Sequence, residues 1–235
     1  MIETLYTEDN GTYLKNNPTW HIEDSPWKAG QILKMLKRNP IQPKSIAEVG
    51  CGAGEILNQL YVSMPKDVSF TGYDISGDAI RLARQREKKR LQFLQDDFVS
   101  INERFDLLLM IDVFEHVEDY FGFLKACRKK AEYTIFHIPL DLSINSILRN
   151  KLISKRNNVG HLNYFSKETA LATLSDTGYK IVDYFYSEPT FNLLGRSMKS
   201  KLAFYPRRLM FKINKDIAVK ALGGFSLMVL TSSGS

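Results

Sequence analysis

A five-residue stretch of strand character, 45–49, runs into Gly50-Cys51-Gly52-Ala53-Gly54 and then into a helical pattern from about residue 55. Three glycines at alternate positions between a strand and a helix constrain the fold more than any other feature of the chain. Such a loop opens a βαβ unit. Its glycines allow a tight turn and a ligand pressed against the backbone, and the helix behind it offers unpaired N–H groups. Alone, the spacing leaves open both a cofactor loop and a turn that serves only the backbone.

The rest of the chain continues the same alternation of short apolar runs and longer helical patterns, which predicts a mainly parallel sheet flanked by helices. Strands are expected at 45–49, 70–75, 91–95, 105–111, 133–138, 179–187 and 225–231. The run Leu107-Leu108-Leu109-Met110-Ile111 is apolar throughout, as a strand covered on both faces must be. Helices are expected over 27–38, from 55, from the Ser76 cap to 89, over 120–130, over 142–154, and from the Ser166 cap to 178. A polar loop is expected to follow residue 154 as far as Gly160. Residues 1–44 are expected to form an N-terminal helical and aromatic segment, in which Tyr13, Trp20, His21 and Trp27 either make a lid over the cofactor or acceptor or staple the first helix to the core. The main domain occupies 45–235 and carries a basic insertion at about 189–223.

The acids around the loop narrow its ligand. A dinucleotide loop would place its third glycine at position 55, which is Glu here; a carboxylate at the helix mouth opposes a pyrophosphate. Glu48, just before the turn, suits a cationic ligand. Asp74 ends the second strand 20 residues beyond Gly54, where an acid accepts the two hydroxyls of an adenosine ribose. Ile75 follows it. Asp97, after the third strand, is placed to accept from an adenine amine with Phe98 beside the ring; Asp96 is hard to separate from it.

Together, Ala47-Glu48-Val49-Gly50-Cys51-Gly52-Ala53-Gly54, Tyr73-Asp74-Ile75-Ser76, Asp97 and Phe105-Asp106-Leu107 leading to Asp112-Val113-Phe114-Glu115-His116-Val117 resemble the class I S-adenosylmethionine-dependent methyltransferases over roughly residues 45–187. The resemblance implies a Rossmann-like three-layer α/β sandwich whose seven-stranded sheet is mostly parallel, the last strand antiparallel and inserted beside the sixth. It implies that Glu48 and the backbone of Gly50, Cys51, Gly52 and Gly54 hold the methionine end of S-adenosylmethionine, Asp74 the ribose and Asp97 the adenine. It places the acceptor beyond the fourth strand, near Asp112 to His116. Asp is commoner than Glu at the position of Glu48, a change in reach but not in charge.

Methyl transfer from a sulfonium needs mostly alignment, with a general base where a hydroxyl is methylated. His116 is the first candidate base, and a backbone-bracing role is the alternative. His161, in Gly160-His161-Leu162-Asn163-Tyr164-Phe165-Ser166, belongs to a segment similar to one lining the acceptor pocket in methyltransferases of quinone precursors and sugars. His137, inside an apolar strand, reads as a satisfied core histidine. Asp112, Glu115, His116 and His161 also resemble the acid-x-x-Glu-His run, with a distant His, that binds a divalent ion in some quinone O-methyltransferases and small-RNA 2′-O-methyltransferases. The first acid here is the shorter Asp, so no metal ligand is assigned.

The net charge of +6 is regional. Residues 189–223 carry eight Lys or Arg against Asp216 alone, more than the whole excess. That segment closes over the acceptor, faces an acidic substrate, lies on an anionic membrane, or simply extends the domain with a solvated basic face. A hydrophobic content of 44% excludes wholesale disorder. Two cysteines are too few for a disulfide scaffold or a thiolate zinc site. The acidic start lacks a signal-like apolar run, which makes the cytoplasm the expected compartment. The reading is thus an enzyme that methylates a small molecule at a hydroxyl of a sugar, quinone precursor or related metabolite. A nucleic-acid methyltransferase and a non-catalytic S-adenosylmethionine-binding module remain as alternatives.

Overall fold

The computed structural model describes residues 22–188 and 204–234. A seven-stranded sheet in the order β3-β2-β1-β4-β5-β7-β6 organises them. After a 3-10 turn at Ile22–Asp24 the chain forms α1 (Ser25–Arg38), β1 (Ser45–Val49), α2 (Glu55–Ser63), β2 (Ser69–Asp74) and α3 (Gly77–Ala83). There follow β3 (Leu91–Gln95), β4 (Phe105–Ile111), α4 (Tyr120–Arg128) and β5 (Ala131–Pro139). The second half holds α5 (Ile144–Leu148), α6 (Lys151–Val159), α7 (Lys167–Asp176), β6 (Lys180–Ser187), α8 (Phe204–Ile213), α9 (Lys215–Leu222) and β7 (Ser226–Ser232). Strands β1 to β5 pair in parallel, and β7 lies antiparallel between β5 and β6. That is the sheet expected above.

The period of two along a strand splits the core into two layers. Leu107, Leu109 and Ile111 face Ile32, Met35, Leu57, Leu60 and Ile80 from α1, α2 and α3. Leu108 and Met110 face the opposite layer, with Leu124, Cys127, Ala170, Leu174, Ala218 and Val219 from α4, α7 and α9. β4 is therefore apolar at every position because both its faces are covered.

Two helices depart from expectation by more than two residues. The helix after Ser76 ends at Ala83 and a 3-10 turn at Arg84–Arg86, not at residue 89. Glu87 turns extended there, and its carboxylate accepts the Phe93 N–H at 3.2 Å as the chain doubles back into β3. The single helix expected over 142–154 is two, α5 and α6, broken at Asn150 with φ +50°. The polar loop expected up to Gly160 is the second half of α6, closed by Gly160 in a left-handed C-cap.

Residues 204–213 and 215–222 of the basic insertion are helical and set Phe211, Ala218 and Val219 into the core. Residues 189–203, and Tyr13, Trp20 and His21 of the expected lid, lie outside the described residues. No helix among the described residues is long and apolar enough to cross a membrane.

Candidate active site

Chain order reverses between β1 and β4, and the crevice at such a switch point opens at the carboxyl ends of the strands. A cleft of about 1490 Å³ occupies that place. Its lining includes Lys28, Glu48, Gly50 to Ala53, Asp74, Ile75, Asp96, Asp97, Phe98, Asp112, His116, His137 and His161. A pocket for one drug-sized ligand measures roughly 300–1,000 Å³, so this cleft has room for two molecules.

The glycine loop is left-handed at Gly50, Gly52 and Gly54, with φ +66°, +53° and +76°. Two of the three face protein. A Cβ on Gly54 would meet the Phe93 ring at 2.5 Å, and one on Gly50 would meet Val113 Cγ2 at 2.9 Å. Clearance for a ligand was the expected reason for all three; at Gly50 and Gly54 the close neighbour is the packing of the loop itself. Cys51 is buried, its thiol pKa pushed well up by that burial, and its N–H donates to the Tyr73 carbonyl at 3.0 Å. Glu55 does not present a bare charge to the helix mouth. Arg86 pairs with it at 2.5 Å and Asn58 and Gln59 donate to it, which weakens the expected repulsion of a phosphate.

Glu48 is 1% exposed, and its Oε2 has no hydrogen-bond partner among the described residues. Burial raises its pKa well above the ordinary carboxylate value, against the pull of Lys28. Asp74 accepts the Gly52 N–H at 2.8 Å through Oδ2 and the Ser76 N–H at 2.9 Å through Oδ1. These bonds oppose the upward pull of burial on its pKa and leave lone pairs towards the cleft. Asp97 is exposed at the rim, one oxygen taken by the Val99 N–H. Phe98 reaches the cleft, but its ring sits in the core, edge-on to Tyr73 at 5.3 Å; Ile75 and Val99 are the exposed apolar side chains beside the two acids.

At the other end, the loop after β4 carries Asp112 at φ +56°. Its carboxylate pairs with Lys28 of α1 at 2.8 Å and with Nδ1 of His137 at 2.6 Å. Those partners hold Asp112 far below the ordinary range despite its burial, and Asp112 in turn holds the Lys28 ammonium above its usual pKa. His137 is buried and satisfied as expected, with Ser187 Oγ 2.9 Å from Nε2, but its surroundings are ionic and it borders the cleft.

His116 Nδ1 lies 3.1 Å from the Gly160 carbonyl, which only accepts, so the proton sits on Nδ1 and the lone pair on Nε2. Burial and the neighbouring His161 lower its pKa to about 4. His161 Nδ1 lies 2.6 Å from Asp141 Oδ2, and Lys155 pairs with the other oxygen. These partners outweigh burial and keep Asp141 below the usual range, hence ionised. Glu115 is wholly buried, no other residue among those described hydrogen-bonds either of its oxygens, and burial pushes its pKa well up. One ligand atom each from Glu115, His116 and His161 fall within 4.8 Å of one another. Two imidazole nitrogens and an orphaned carboxylate fit a divalent cation, whereas Asp112 is engaged elsewhere.

The cleft thus gathers every residue expected at the site except the core-facing Gly54. Lys28 and Asp141 were not anticipated. An acid two residues past the end of β5 stands where ligands gather in such sheets, which is the signal that marks Asp141. Lys28 lies within an amphipathic helix pattern that gives no cue to its buried partners.

The model of the family described as "Methyltransferase domain" matches residues 21–184. The ubiquinone biosynthesis O-methyltransferase of Glaesserella parasuis is 29% identical over 128 residues, 47% of this chain and 53% of that protein. The cyclopropane-fatty-acyl-phospholipid synthase of Escherichia coli is 32% identical over 102 residues, 42% of this chain and 26% of that protein. The chain therefore spans about half or less of the curated relatives it matches. Among solved structures, magnesium protoporphyrin IX methyltransferase from Synechocystis, with bound S-adenosylhomocysteine, superposes with a TM-score of 0.61 at 14% identity, covering 99% of this chain and 92% of that one. That likeness is one of fold. With its model matched over well more than half the length, its sheet order, and its acids and glycines set around the switch point, the chain belongs to the methyltransferase-domain family, of the class I S-adenosylmethionine-dependent type.

Proposed function

We propose that the protein transfers a methyl group from S-adenosylmethionine to a hydroxyl of a small-molecule acceptor of the quinone-precursor or sugar type. One observation carries the reading: a single cleft with room for two molecules joins the glycine loop, Asp74 and Asp97 to the His116–His161 pair. In the cofactor half, Glu48 takes the amine of the methionine end and Lys28 its carboxylate, each matching charge with charge. Asp74 accepts the ribose hydroxyls, Asp97 the adenine amine, and Ile75 and Val99 flank the base. The ubiquinone-pathway relative is an O-methyltransferase by name, in line with a hydroxyl acceptor.

His161 is the general base. Asp141 fixes its Nδ1–H, turns Nε2 towards the acceptor and stabilises the imidazolium that forms. His116 has its pKa drawn down to about 4 and is the poorer base; it orients the acceptor beside His161. Asp112 positions Lys28 and His137. A second reading adds a divalent cation on Glu115, His116 and His161, favoured by the buried Glu115 carboxylate, which no other described residue hydrogen-bonds. When bound, such an ion supplies Lewis-acid lowering of a hydroxyl pKa.

The test is S-adenosylhomocysteine formation from catechol-type acceptors. His161→Asn should lower kcat by roughly 10²–10⁴-fold with little change in S-adenosylmethionine affinity. Undiminished turnover in this variant removes the base assignment. Excess chelator and calorimetric titration with Mg²⁺ or Zn²⁺ separate the readings: metal-free turnover, with no heat lost in Glu115→Gln, removes the cation.

A further inference from the structure

Helices α5, α6, α8 and α9 form one connected surface. α8 packs on α9, α9 on α5 and α5 on α6. Two apolar faces on it point away from the core. On α5, Ile144, Ile147 and Leu148 stand at i, i+3 and i+4, and Leu148 is 78% exposed. On α8, Leu209 and Ile213 stand one turn apart, and Ile213 is 77% exposed. Ile153 and Ile217 add exposed apolar side chains on α6 and α9. Large aliphatic side chains spaced along one helical face ordinarily mark a buried stripe. Here the stripe is exposed, among the described residues.

Charge decides what covers it. Residues 144–159 and 204–222 hold nine Lys or Arg and a single acid, Asp216. Lys151 lies so close to Arg149, Arg207 and Lys155 that burial and this like charge lower its pKa. A second copy of the same face would meet the same positive field, which opposes a symmetric dimer. RNA phosphates would satisfy the cations and leave the aliphatic side chains wet. An anionic lipid bilayer satisfies both, taking aliphatic side chains into the acyl boundary and lysines and arginines at the headgroups.

We propose that the α5–α6–α8–α9 surface docks this protein on anionic lipid membranes. α6 also lines the cleft through Ser154, Lys155 and Asn158, so docking sets the rim of the site at the bilayer. The proposal does not depend on the acceptor assigned above. Helical insertions on a methyltransferase-like sheet thereby act as a peripheral membrane contact.

The experiment is co-sedimentation of the full chain with phosphatidylcholine vesicles containing or lacking 30% phosphatidylglycerol, where the lipid content is a choice of roughly physiological charge. Binding should require the anionic lipid and weaken with salt. The triple variant Lys151→Gln, Arg156→Gln, Lys212→Gln should lose on the order of 100-fold in partitioning, about fivefold per charge. Leu148→Ser with Ile213→Ser should lose roughly tenfold. Both variants should keep wild-type S-adenosylhomocysteine affinity, which separates this surface from the cleft. Equal partitioning to neutral vesicles, no partitioning to anionic ones, or a dimer or RNA complex abolished by the same substitutions would each overturn the proposal.

Discussion

Asp112 concentrates the electrostatics of the site in one residue. A left-handed conformation costs a non-glycine residue about 1–2 kcal/mol, and Asp is among the few that visit it. The conformation persists because it directs one carboxylate to both Lys28 and His137, tying α1 to the ends of β4 and β5. Removing one partner of a mostly buried pair leaves the other charge stranded, at a cost of about 3 kcal/mol. Asp112→Asn should therefore destabilise the protein by about 2–3 kcal/mol, since the amide keeps the backbone conformation and loses the charge. Asp112→Ala should cost about 1 kcal/mol more, because alanine also resists positive φ. Urea denaturation of the two variants measures both. Equal stabilities for the two would show that the backbone term is absent, and a loss under about 0.5 kcal/mol in either would show that the pair contributes nothing. The sequence pattern exposed Asp112 as an acid after a buried strand, but not its partners, because Lys28 and His137 approach from elements 84 residues before it and 25 after it.

At the scale of elements, local pattern carried most of the fold. Strands β1, β3 and β4 fall at their expected bounds because apolar runs bordered by turns are a purely local signal. The early end of α3 and the break at Asn150 were not legible, since both answer to where the chain must go next rather than to propensity. The glycine loop shows the same division. Its location was evident, yet the tolerance at each glycine depends on neighbours distant in sequence: Phe93 and Ala83 crowd Gly54, Val113 crowds Gly50. Gly54→Ala would set a methyl at 2.5 Å from the Phe93 ring at a backbone angle that disfavours it. Overpacking of this kind costs about 1–3 kcal/mol and the positive φ about 1 kcal/mol more. The variant should lose about 2–4 kcal/mol of stability and bind S-adenosylhomocysteine more weakly, as the helix end behind the loop shifts. A shortened side chain, Phe93→Leu, should return part of that stability in the double mutant; strict additivity of the two substitutions in denaturation would refute the clash.

For the molecule as a whole, the proposed placement of the cofactor makes its amine a counter-charge for an acid that the described residues leave poorly compensated. Besides the Glu55–Arg86 pair, the described residues set two acids, Glu48 and Asp74, and one cation, Lys28, around the glycine loop, and Lys28 is already paired with Asp112. Glu48 is buried, one of its oxygens has no hydrogen-bond partner among the described residues, and its pKa stands well above the ordinary value because burial penalises the charge. A carboxyl with a raised folded pKa stabilises the fold below its ordinary pKa, where it is protonated in both states. That advantage fades as pH rises towards the folded value, because the buried group must then hold a proton or an uncompensated charge. An ammonium placed against Glu48 reverses the balance by favouring the ionised form. Binding of S-adenosylhomocysteine, whose amine is cationic throughout this range, should therefore expel a proton. Its affinity should rise with pH until Glu48 is ionised in the free protein. Calorimetry in buffers of different ionisation enthalpy reads the proton directly. Saturation at about 100 times Kd adds about 2.7 kcal/mol, a rise in Tm of roughly 5–10 °C for a chain of this size, and that rise should be smaller at acid pH for the same ligand concentration. Glu48→Gln should bind more weakly and lose the pH dependence together with the proton release. Proton uptake, or an affinity that stays flat with pH in the parent and falls in parallel in the variant, would place the cofactor's amine somewhere other than against Glu48.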